Sequence, residues 1–357
     1  LLDTDVASLK MWLVPSPGYK HNISVARFRD YAALTQNWLV AAETMEAPDV
    51  IVASWPPVDL GHACVSYGQA RGTAVYLDAR DLWPDVIYER IRARFRLPWA
   101  PRVLWGYNRK TTEAVAGATG VLGITKTFVD WGLRQAGRDR RVTDRAFYLS
   151  SYGLGEAPGT DEPAKFWRTQ GLNETGDALI ISWVGSLTDQ RMVRIFLERF
   201  ADLSDELATK LQLIICGTGA LCELVSDYAA RCPHILYPGY IDRDQYCHLL
   251  TQTDHGLLVY DPTFDFLGSI PNKVNEYLSG GVGILTNLDG EAHRTLAPLG
   301  ASSLLDLSKG AALEPQIAKL IAEGKASGKT RSAMQAIFRA KFDGETIYPE
   351  MAAHVLA

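Results

Sequence analysis

Short apolar segments alternate with longer amphipathic segments along most of the chain. The short segments have the composition of buried strands, whereas the longer ones repeat apolar residues at helical spacing, as Met192, Val193, Phe196 and Phe200 do. Strands that alternate with helices form a parallel sheet covered by helices on both faces. We therefore predict an α/β protein with strands over Met11–Val14, Val50–Ala53, Ala74–Leu77, Gly120–Ile124, Phe147–Ser150, Ala178–Val184, Leu211–Cys216, Ile235–Tyr237, Gly256–Val259, Val282–Thr286 and Ser302–Leu307.

Glycine, proline and acidic residues interrupt this alternation between Tyr152 and Asp177. A chain of 357 residues also has the length expected of two domains. Few strands precede the interruption, so we expect that the first strands of the N-terminal domain, ahead of Met11, are absent from this sequence. We predict two Rossmann-like, doubly wound domains over 1–155 and 178–340. A linker with a short helix joins them over 156–177, and a tail over 341–357 returns to the first domain.

The stretch from Asp261 to Thr286 carries the clearest chemistry. Its pattern predicts a strand end, a glycine loop, a helix whose first residue is Pro271, and a further strand. The free amides at the start of such a helix form a natural anion site, and Lys273 and Glu276 would share one helical face. This arrangement would suit a nucleotide, whose phosphate would lie at the helix start beside Lys273 and whose ribose hydroxyls would reach Glu276 one turn later. The alternative is an ordinary Rossmann helix with a solvated Lys/Glu pair.

Glycines follow three predicted strands of the second domain, at Gly185, at Gly217 and Gly219, and at Gly239. Ligands of open parallel sheets lie beyond the carboxyl ends of the strands, so these loops should line one crevice. Glycine permits close approach of backbone to ligand, although it also simply makes tight turns. Arg191 lies six residues after Gly185 and is placed to neutralise a pyrophosphate there.

A dense polar cluster, Asp78–Asp85, follows a predicted strand of the first domain. It would supply a base or a hydroxyl-binding group, or alternatively a helix cap with a salt bridge, because aspartate commonly caps helices. A second strand-end segment, 17–22, contains Tyr19 and Asn22 and would face the same crevice or form a mere turn.

Composition narrows the class of protein. The chain is 47% hydrophobic and 22% charged, as in an ordinary globular protein. Its five cysteines include no C-x-x-C pair and its seven histidines no zinc-type grouping, so we expect free thiols in a reducing cytosol and no metal or other cofactor. The net charge is −5, which disfavours a nucleic-acid partner.

Positive charge is concentrated between residues 71 and 150, which hold 15 Lys or Arg against eight Asp or Glu. Arginines alternate with tryptophan and leucine in 90–110, a pattern that suits an anionic membrane surface. The alternative is a solvated basic helix.

Three segments, Pro48–Pro57, Asp78–Pro84 and Ile270–Gly280, resemble in their order those of bacterial glycosyltransferases of family 4. The most similar branch transfers N-acetylated amino sugars or deoxysugars in capsule and O-antigen synthesis. The resemblance extends from about Val14 to Leu285. It implies a GT-B fold, in which two Rossmann-like domains face each other across a cleft, with the nucleotide-sugar donor bound by the second domain and the acceptor by the first.

The resemblance also implies roles for individual residues. Glu276 would bind the donor ribose, and the base would stack near Tyr240 and Ile241. The resemblance places the donor pyrophosphate against Lys273, Arg191 and the backbone of Gly268, Ser269 and Ile270. The glycine loops at Gly185 and Gly217 would complete this pyrophosphate site. Acceptor binding would involve Tyr19, Asn22 and Ser54, and Asp78, Arg80 and Asp81 would position the acceptor or the sugar. Members are metal-independent and retaining.

Two positions depart from the family pattern. Many members have a glutamate where Gly268 stands and a histidine where Arg80 stands, so the contacts to the transferred sugar differ here. We expect a cytoplasmic transferase that uses a UDP-sugar and a saccharide or lipid-linked saccharide at the inner membrane face. The alternatives are a nucleotide-sugar 2-epimerase of the same fold and a non-enzymatic nucleotide-binding module.

Overall fold

The computed structural model describes residues 9–20, 24–95, 105–154, 161–174 and 176–357. Within them the chain forms two units, one ending at Phe147 and taking in Met351–Ala357, the other spanning Tyr148–Glu350. Asn22 and residues ahead of Leu9 lie outside the described residues, as does the middle of the basic stretch 90–110.

The first unit is built on a parallel sheet of four strands in the order β1-β2-β3-β4. The strands are β1 (Val50–Trp55), β2 (Ala74–Ala79), β3 (Gly120–Gly123) and β4 (Arg145–Ala146). The helices are α1 (Val25–Glu43), α2 (Val58–Arg71), α3 (Asp85–Phe95), α4 (Trp105–Gly117) and α5 (Lys126–Ala136). Parallel register pairs Ser54 with Asp78, which brings the carboxyl ends of β1 and β2 to one edge.

Local sequence explains where the helices of the first unit begin and end. Ser24 and Thr125 cap α1 and α5 by accepting hydrogen bonds from backbone N–H groups three residues on. Gly72 and Gly137 end α2 and α5 in the left-handed conformation that glycine adopts at least cost. Two strand predictions are wrong, since Met11 forms only an isolated bridge and the last strand is Arg145–Ala146 rather than Phe147–Ser150.

The second unit contains a parallel sheet of six strands in the order β10-β9-β8-β5-β6-β7. The strands are β5 (Leu179–Val184), β6 (Leu211–Cys216), β7 (Ile235–Gly239), β8 (His255–Leu258), β9 (Gly283–Thr286) and β10 (Ser302–Leu304). The helices are α6 (Glu162–Gln170), α7 (Arg191–Ala201), α8 (Asp205–Ala208), α9 (Cys222–Arg231), α10 (Arg243–Gln252), α11 (Phe264–Gly268), α12 (Asn272–Ser279), α13 (Glu291–Leu296), α14 (Glu314–Glu323), α15 (Gly328–Lys341) and α16 (Gly344–Leu356).

Apolar side chains fill both faces of this sheet. One cluster contains Phe196 and Phe200 of α7, and the other contains Tyr277 of α12 and Phe338 of α15. The strands between them read as continuous apolar runs because both of their faces are buried. This double burial is why the second sheet follows its sequence prediction more closely than the first.

The described part of the predicted linker 156–177 contains one short helix, α6, as expected. This helix packs against α10, with the Trp167 indole fully buried and donating a hydrogen bond to the Gln245 carbonyl at 2.7 Å. The end of α16 from Met351 onward belongs to the first unit, where the His354 imidazole lies 3.1 Å from the Thr143 carbonyl. No helix in the described part of the chain is both long and apolar enough to span a membrane.

Candidate functional site

The order of strands in the second sheet defines where a ligand would lie. Strands β5 and β8 are neighbours, yet the chain proceeds from β5 toward one edge of the sheet and from β8 toward the other. Loops that diverge at such a switch point leave a crevice at the carboxyl ends of the strands. Gly185 follows β5 and Tyr260 follows β8, so both stand at this crevice.

Three strand-end glycines pack backbone against backbone. The Gly185 N–H donates to the Cys216 carbonyl at 2.9 Å, and the Gly217 N–H donates to the Gly239 carbonyl at 2.7 Å. Gly217 has a φ of +136°, and a Cβ at this position would collide with the Gly185 carbonyl oxygen. Only glycine fits this backbone, so the glycine pattern reflects a real close approach between the two loops.

Helix α12 begins with unpartnered amides. Pro271, predicted to be the first helical residue, is instead the N-cap, with φ −63° and ψ 150°. Its extended ψ keeps it out of the helix, which begins at Asn272. It provides no side-chain cap, and among the described residues no group accepts from the N–H groups of Asn272 and Lys273. An uncapped helix start of this kind is a ready anion site.

Lys273 points from this helix start toward the loop after β5. A Cβ on Gly185 would lie 2.5 Å from the Lys273 Nζ, and the ammonium also lies 5.6 Å from the centre of the buried Trp183 ring. Burial lowers the pKa of Lys273 to about 8, against a smaller opposing effect of Glu276. Within the described chain the ammonium has neither a hydrogen bond nor an ion pair. It is a desolvated cation without a counterion.

Glu276 follows one turn later on the same face. Its Oε2 accepts a hydrogen bond from the Tyr246 hydroxyl at 3.0 Å. Burial raises the pKa of Glu276, although the Tyr246 hydrogen bond and the charge of Lys273 oppose that shift. The opposite face of α12 is buried through Val274, Tyr277 and Leu278, and the Tyr277 hydroxyl donates to the Ser182 carbonyl at 3.1 Å. The helix is therefore fixed with Lys273 and Glu276 toward the crevice.

The start of helix α7 is closed, in contrast to that of α12. The Asp261 carboxylate accepts from the N–H groups of Arg191 and Met192, at 3.2 and 2.8 Å. The Arg191 side chain is exposed and lines a cavity of about 730 Å³ with Asn287 and Asp306, among others, and neither Lys273 nor Glu276 belongs to that cavity. Within the described chain, Arg191 makes no hydrogen bond to another predicted pyrophosphate ligand, so its role in binding pyrophosphate stays a prediction.

The remaining predicted donor residues are divided between surface and core. The Tyr240 ring is 77% exposed, directly after β7, whereas the Ile241 side chain is buried. Ile270 is buried as well, Gly268 is the buried last residue of α11, and Ser269 is half-buried. The backbone of 268–270 therefore leads directly into the open start of α12.

In the first unit, two of the predicted catalytic residues are paired with each other, and the third is held by its own loop. The Arg80 guanidinium donates to the Asp78 carboxylate at 2.6 Å, and the exposed Ser54 lies beside Asp78 in the strand register. Both Asp81 oxygens accept hydrogen bonds from its own loop, from the Leu82 N–H at 2.9 Å and the Trp83 indole at 3.1 Å. These groups form a polar edge whose charges are internally satisfied.

Tyr19 lies at the edge of an aromatic group that packs on the same loop. Its ring is 36% exposed and stands edge-on to Tyr31, with ring centres 6.2 Å apart. The Arg27 guanidinium lies 5.5 Å from the Tyr19 ring and 4.5 Å from the Trp83 ring. The chain around Tyr19 is thus attached to the loop that contains Asp81 and Trp83.

Sequence reasoning missed Trp183, Tyr246 and the Asp261 cap. Tyr246 lies 30 residues before its partner Glu276, and no local pattern reveals such a pair. Asp261 was recognised only as the start of a motif. Among the described residues, no three His, Cys, Asp or Glu side chains are grouped as a metal site would require.

No protein-family model and no curated protein sequence matches this chain. Solved structures do. HepE of Anabaena in complex with UDP superposes with a TM-score of 0.63 at 13% identity, over 90% of this chain and 81% of HepE. WaaG, a glycosyltransferase involved in lipopolysaccharide biosynthesis, gives 0.61 at 14% identity, over 95% and 84%. Sucrose-phosphate synthase of Thermosynechococcus elongatus gives 0.67 at 13% identity, over 91% and 77%.

At these identities the similarity establishes the fold. Two α/β units with parallel sheets of four and six strands, matched over most of the chain by such structures, give this protein a GT-B fold. Function must be argued from the site, because one fold hosts many activities.

Proposed function

We propose that this protein is a glycosyltransferase that takes a sugar from a nucleoside-diphosphate sugar. The observation that carries this proposal is Lys273, a half-buried ammonium at the open start of α12 that has no ion-pair partner among the described residues. A dianionic diphosphate would supply its missing counterion and accept from the free amides of Asn272 and Lys273. The complexes of HepE with UDP and with UDP-glucose support a UDP-linked donor.

The donor would lie along the carboxyl edge of the second sheet. Its pyrophosphate would occupy the space between the Gly185 and Gly217 loops and the backbone of 268–270. Its ribose hydroxyls would donate to Glu276, one turn beyond the phosphate, and its base would stack on the exposed Tyr240 ring next to the Ile241 backbone. The Arg191 side chain would contact the pyrophosphate only after moving out of the cavity beside Asp261.

The chemistry we propose retains the configuration of the sugar. The bond between the anomeric carbon and the leaving phosphate oxygen breaks, the acceptor oxygen forms its bond on the same face, and the departing phosphate takes the acceptor's proton. No protein base and no metal is then required. Lys273 and the amides of α12 would stabilise the negative charge that develops on the leaving diphosphate.

The first unit would provide the acceptor side. Ser54, Asp78 and Arg80 stand at one sheet edge, and Asp81 and Tyr19 are linked through the loop that contains Trp83. We propose that these residues, with Asn22, orient a saccharide or lipid-linked saccharide used in bacterial surface polysaccharide synthesis. The basic stretch 90–110 would hold the protein at the cytoplasmic face of the inner membrane.

Thermal unfolding with a panel of nucleotide sugars tests the proposal, because a ligand that binds the folded state raises its melting temperature. We expect UDP and at least one UDP-sugar to raise the melting temperature of the wild type. The Lys273→Met variant should show a clearly smaller rise at the same ligand concentration. Equal rises in both proteins would reject this site.

Incubation with donor alone, followed by analysis of the sugar, separates transfer from the alternatives. A transferase releases UDP slowly without acceptor and faster with it. A 2-epimerase would convert the UDP-sugar without releasing UDP, and a non-enzymatic binding module would do neither.

A further inference from the structure

A buried tyrosine holds the carboxylate that faces the crevice. Tyr246 is 8% exposed, and its hydroxyl donates to Glu276 Oε2 at 3.0 Å. The other oxygen, Oε1, makes no hydrogen bond to any residue that the structure describes. Tyr246 therefore fixes one oxygen of Glu276 and leaves the other to accept from a ligand.

Tyr246 also connects Glu276 to the loop after β7. It lies in the first turn of α10, which starts directly after Tyr240 and Ile241. A capping box fixes this start, with the Gln245 N–H donating to Asp242 at 2.8 Å and the Asp242 N–H donating to Gln245 at 3.0 Å. The first turn of α10 is thus well defined, and within the described chain its only hydrogen bond to α12 comes from the Tyr246 hydroxyl.

A carboxylate that rotates freely adopts the orientation needed to accept hydrogen bonds from ribose hydroxyls only part of the time. Positioning by a hydrogen bond removes that entropic cost before the ligand arrives. We infer that Tyr246 is a positioning residue that orients Glu276 toward the vicinal hydroxyls of a ribonucleotide, and so makes the site selective for ribo- over 2′-deoxyribonucleotides. This inference rests on the proposed function, because it requires a nucleoside diphosphate in the crevice.

The competing explanation is that the bond merely satisfies a buried hydroxyl. Loss of such a bond would weaken the protein and all of its ligands alike. A positioning role instead predicts that a ligand with both ribose hydroxyls is weakened more than one that has only the 3′-hydroxyl, so the ratio of the two dissociation constants separates the explanations.

The test uses isothermal titration of the full chain with UDP and with 2′-deoxy-UDP. We expect wild type to prefer UDP by about tenfold, the discrimination typical of one hydrogen bond to a charged group. Tyr246→Phe should reduce that preference to about threefold or less, mainly by weakening UDP. Glu276→Gln should reduce it similarly, and the double variant should add little, because both substitutions disrupt one unit.

Tyr348→Phe is the matched control. Its hydroxyl donates to the Ser150 carbonyl at 2.7 Å in the same unit, so its removal also costs a hydrogen bond but should leave the preference unchanged. Equal weakening of both ligands in Tyr246→Phe, or an unchanged preference, would overturn the inference while leaving the proposed function intact. If wild type bound neither ligand, both would be rejected. A loss of preference in Glu276→Gln but not in Tyr246→Phe would reject the positioning role alone.

Discussion

Charged side chains stand at strand ends in both units, but their surroundings differ. In the second unit, burial lowers the pKa of Lys273 and raises that of Glu276, which favours the neutral form of each, and Lys273 has no hydrogen bond or ion pair among the described residues. In the first unit, Arg80 is 48% exposed and paired with Asp78. The second unit thus holds a buried cation without an ion-pair partner. The first unit pairs its cation with a carboxylate, and the arginine of that pair reaches water.

The difference indicates which region is prepared for an anion. A desolvated and unpaired cation costs stability in the free protein and recovers that cost only when a counterion binds. A formed ion pair whose arginine reaches water costs less than an unpaired buried cation, even though the Asp78 side chain is only 10% exposed. The second unit should therefore determine donor affinity, and the first should affect turnover with little effect on donor binding.

The largest effect is expected from a substitution that disrupts the backbone contact between the Gly217 and Gly185 loops of the second unit. Gly217→Ala introduces a Cβ into the Gly185 carbonyl at a φ of +136°. We expect a loss of about 3 kcal/mol or more in the free energy of unfolding, measured by urea denaturation. Gly171→Ala is the control, because φ there is +87° with open space around the Cβ. It should cost only about 1–2 kcal/mol. Equal costs would contradict the close approach.

Affinity for UDP should depend on pH through Lys273. Its pKa of about 8 means that the free protein loses this cation as pH rises. A bound diphosphate favours the charged form, so the affinity should fall by up to about tenfold per pH unit above 8. Titrations between pH 7 and 9 measure this fall. Lys273→Arg, whose guanidinium stays charged, should show a flatter profile. Identical profiles would assign the dependence to another group.

Lys273→Met should make the free protein slightly more stable. The pKa of Lys273 is lower in the folded protein than its usual 10.5, so the charged form disfavours folding. This penalty is fully present below pH 8 and disappears as the pH rises toward 10.5. At pH 7 the variant should melt higher by roughly 2 °C, and the gain should shrink toward pH 10. A lower melting temperature at pH 7 would contradict the desolvated, unpaired state of the ammonium.

The smallest effect on binding is expected in the first unit. Asp78→Asn breaks an ion pair whose arginine is half exposed, so stability should change by less than about 1 kcal/mol. Dissociation constants for UDP should stay within about twofold of wild type, whereas transfer to the acceptor should fall. A tenfold loss of UDP affinity would remove the contrast between the two regions.

Much of the fold was predictable because burial imposes a pattern on the sequence. Strands such as Leu211–Cys216 are buried on both faces and hence continuously apolar. The strand at 145–146 and the packing of α6 were not predictable, because a two-residue edge strand has no period and Trp167 finds its pocket only in the folded unit.

The residues of the candidate site could be predicted where they are neighbours along one helix. Lys273 and Glu276 share a face because they are three residues apart, and the structure retains that relation. Tyr246 and Asp261 act on residues 30 and 70 positions away, and only the folded chain makes such pairs visible. The start of helix α7 illustrates the same limit, since the carboxylate that accepts from the Arg191 N–H lies 70 residues further along the chain.

The central claim is that the open start of α12 binds a nucleoside diphosphate through Lys273. The most direct test is calorimetric titration of UDP into wild type and Lys273→Met at pH 7. Loss of a charge-assisted contact predicts that the variant binds about 10- to 100-fold more weakly while remaining folded. A folded variant that binds UDP as tightly as wild type would contradict the claim.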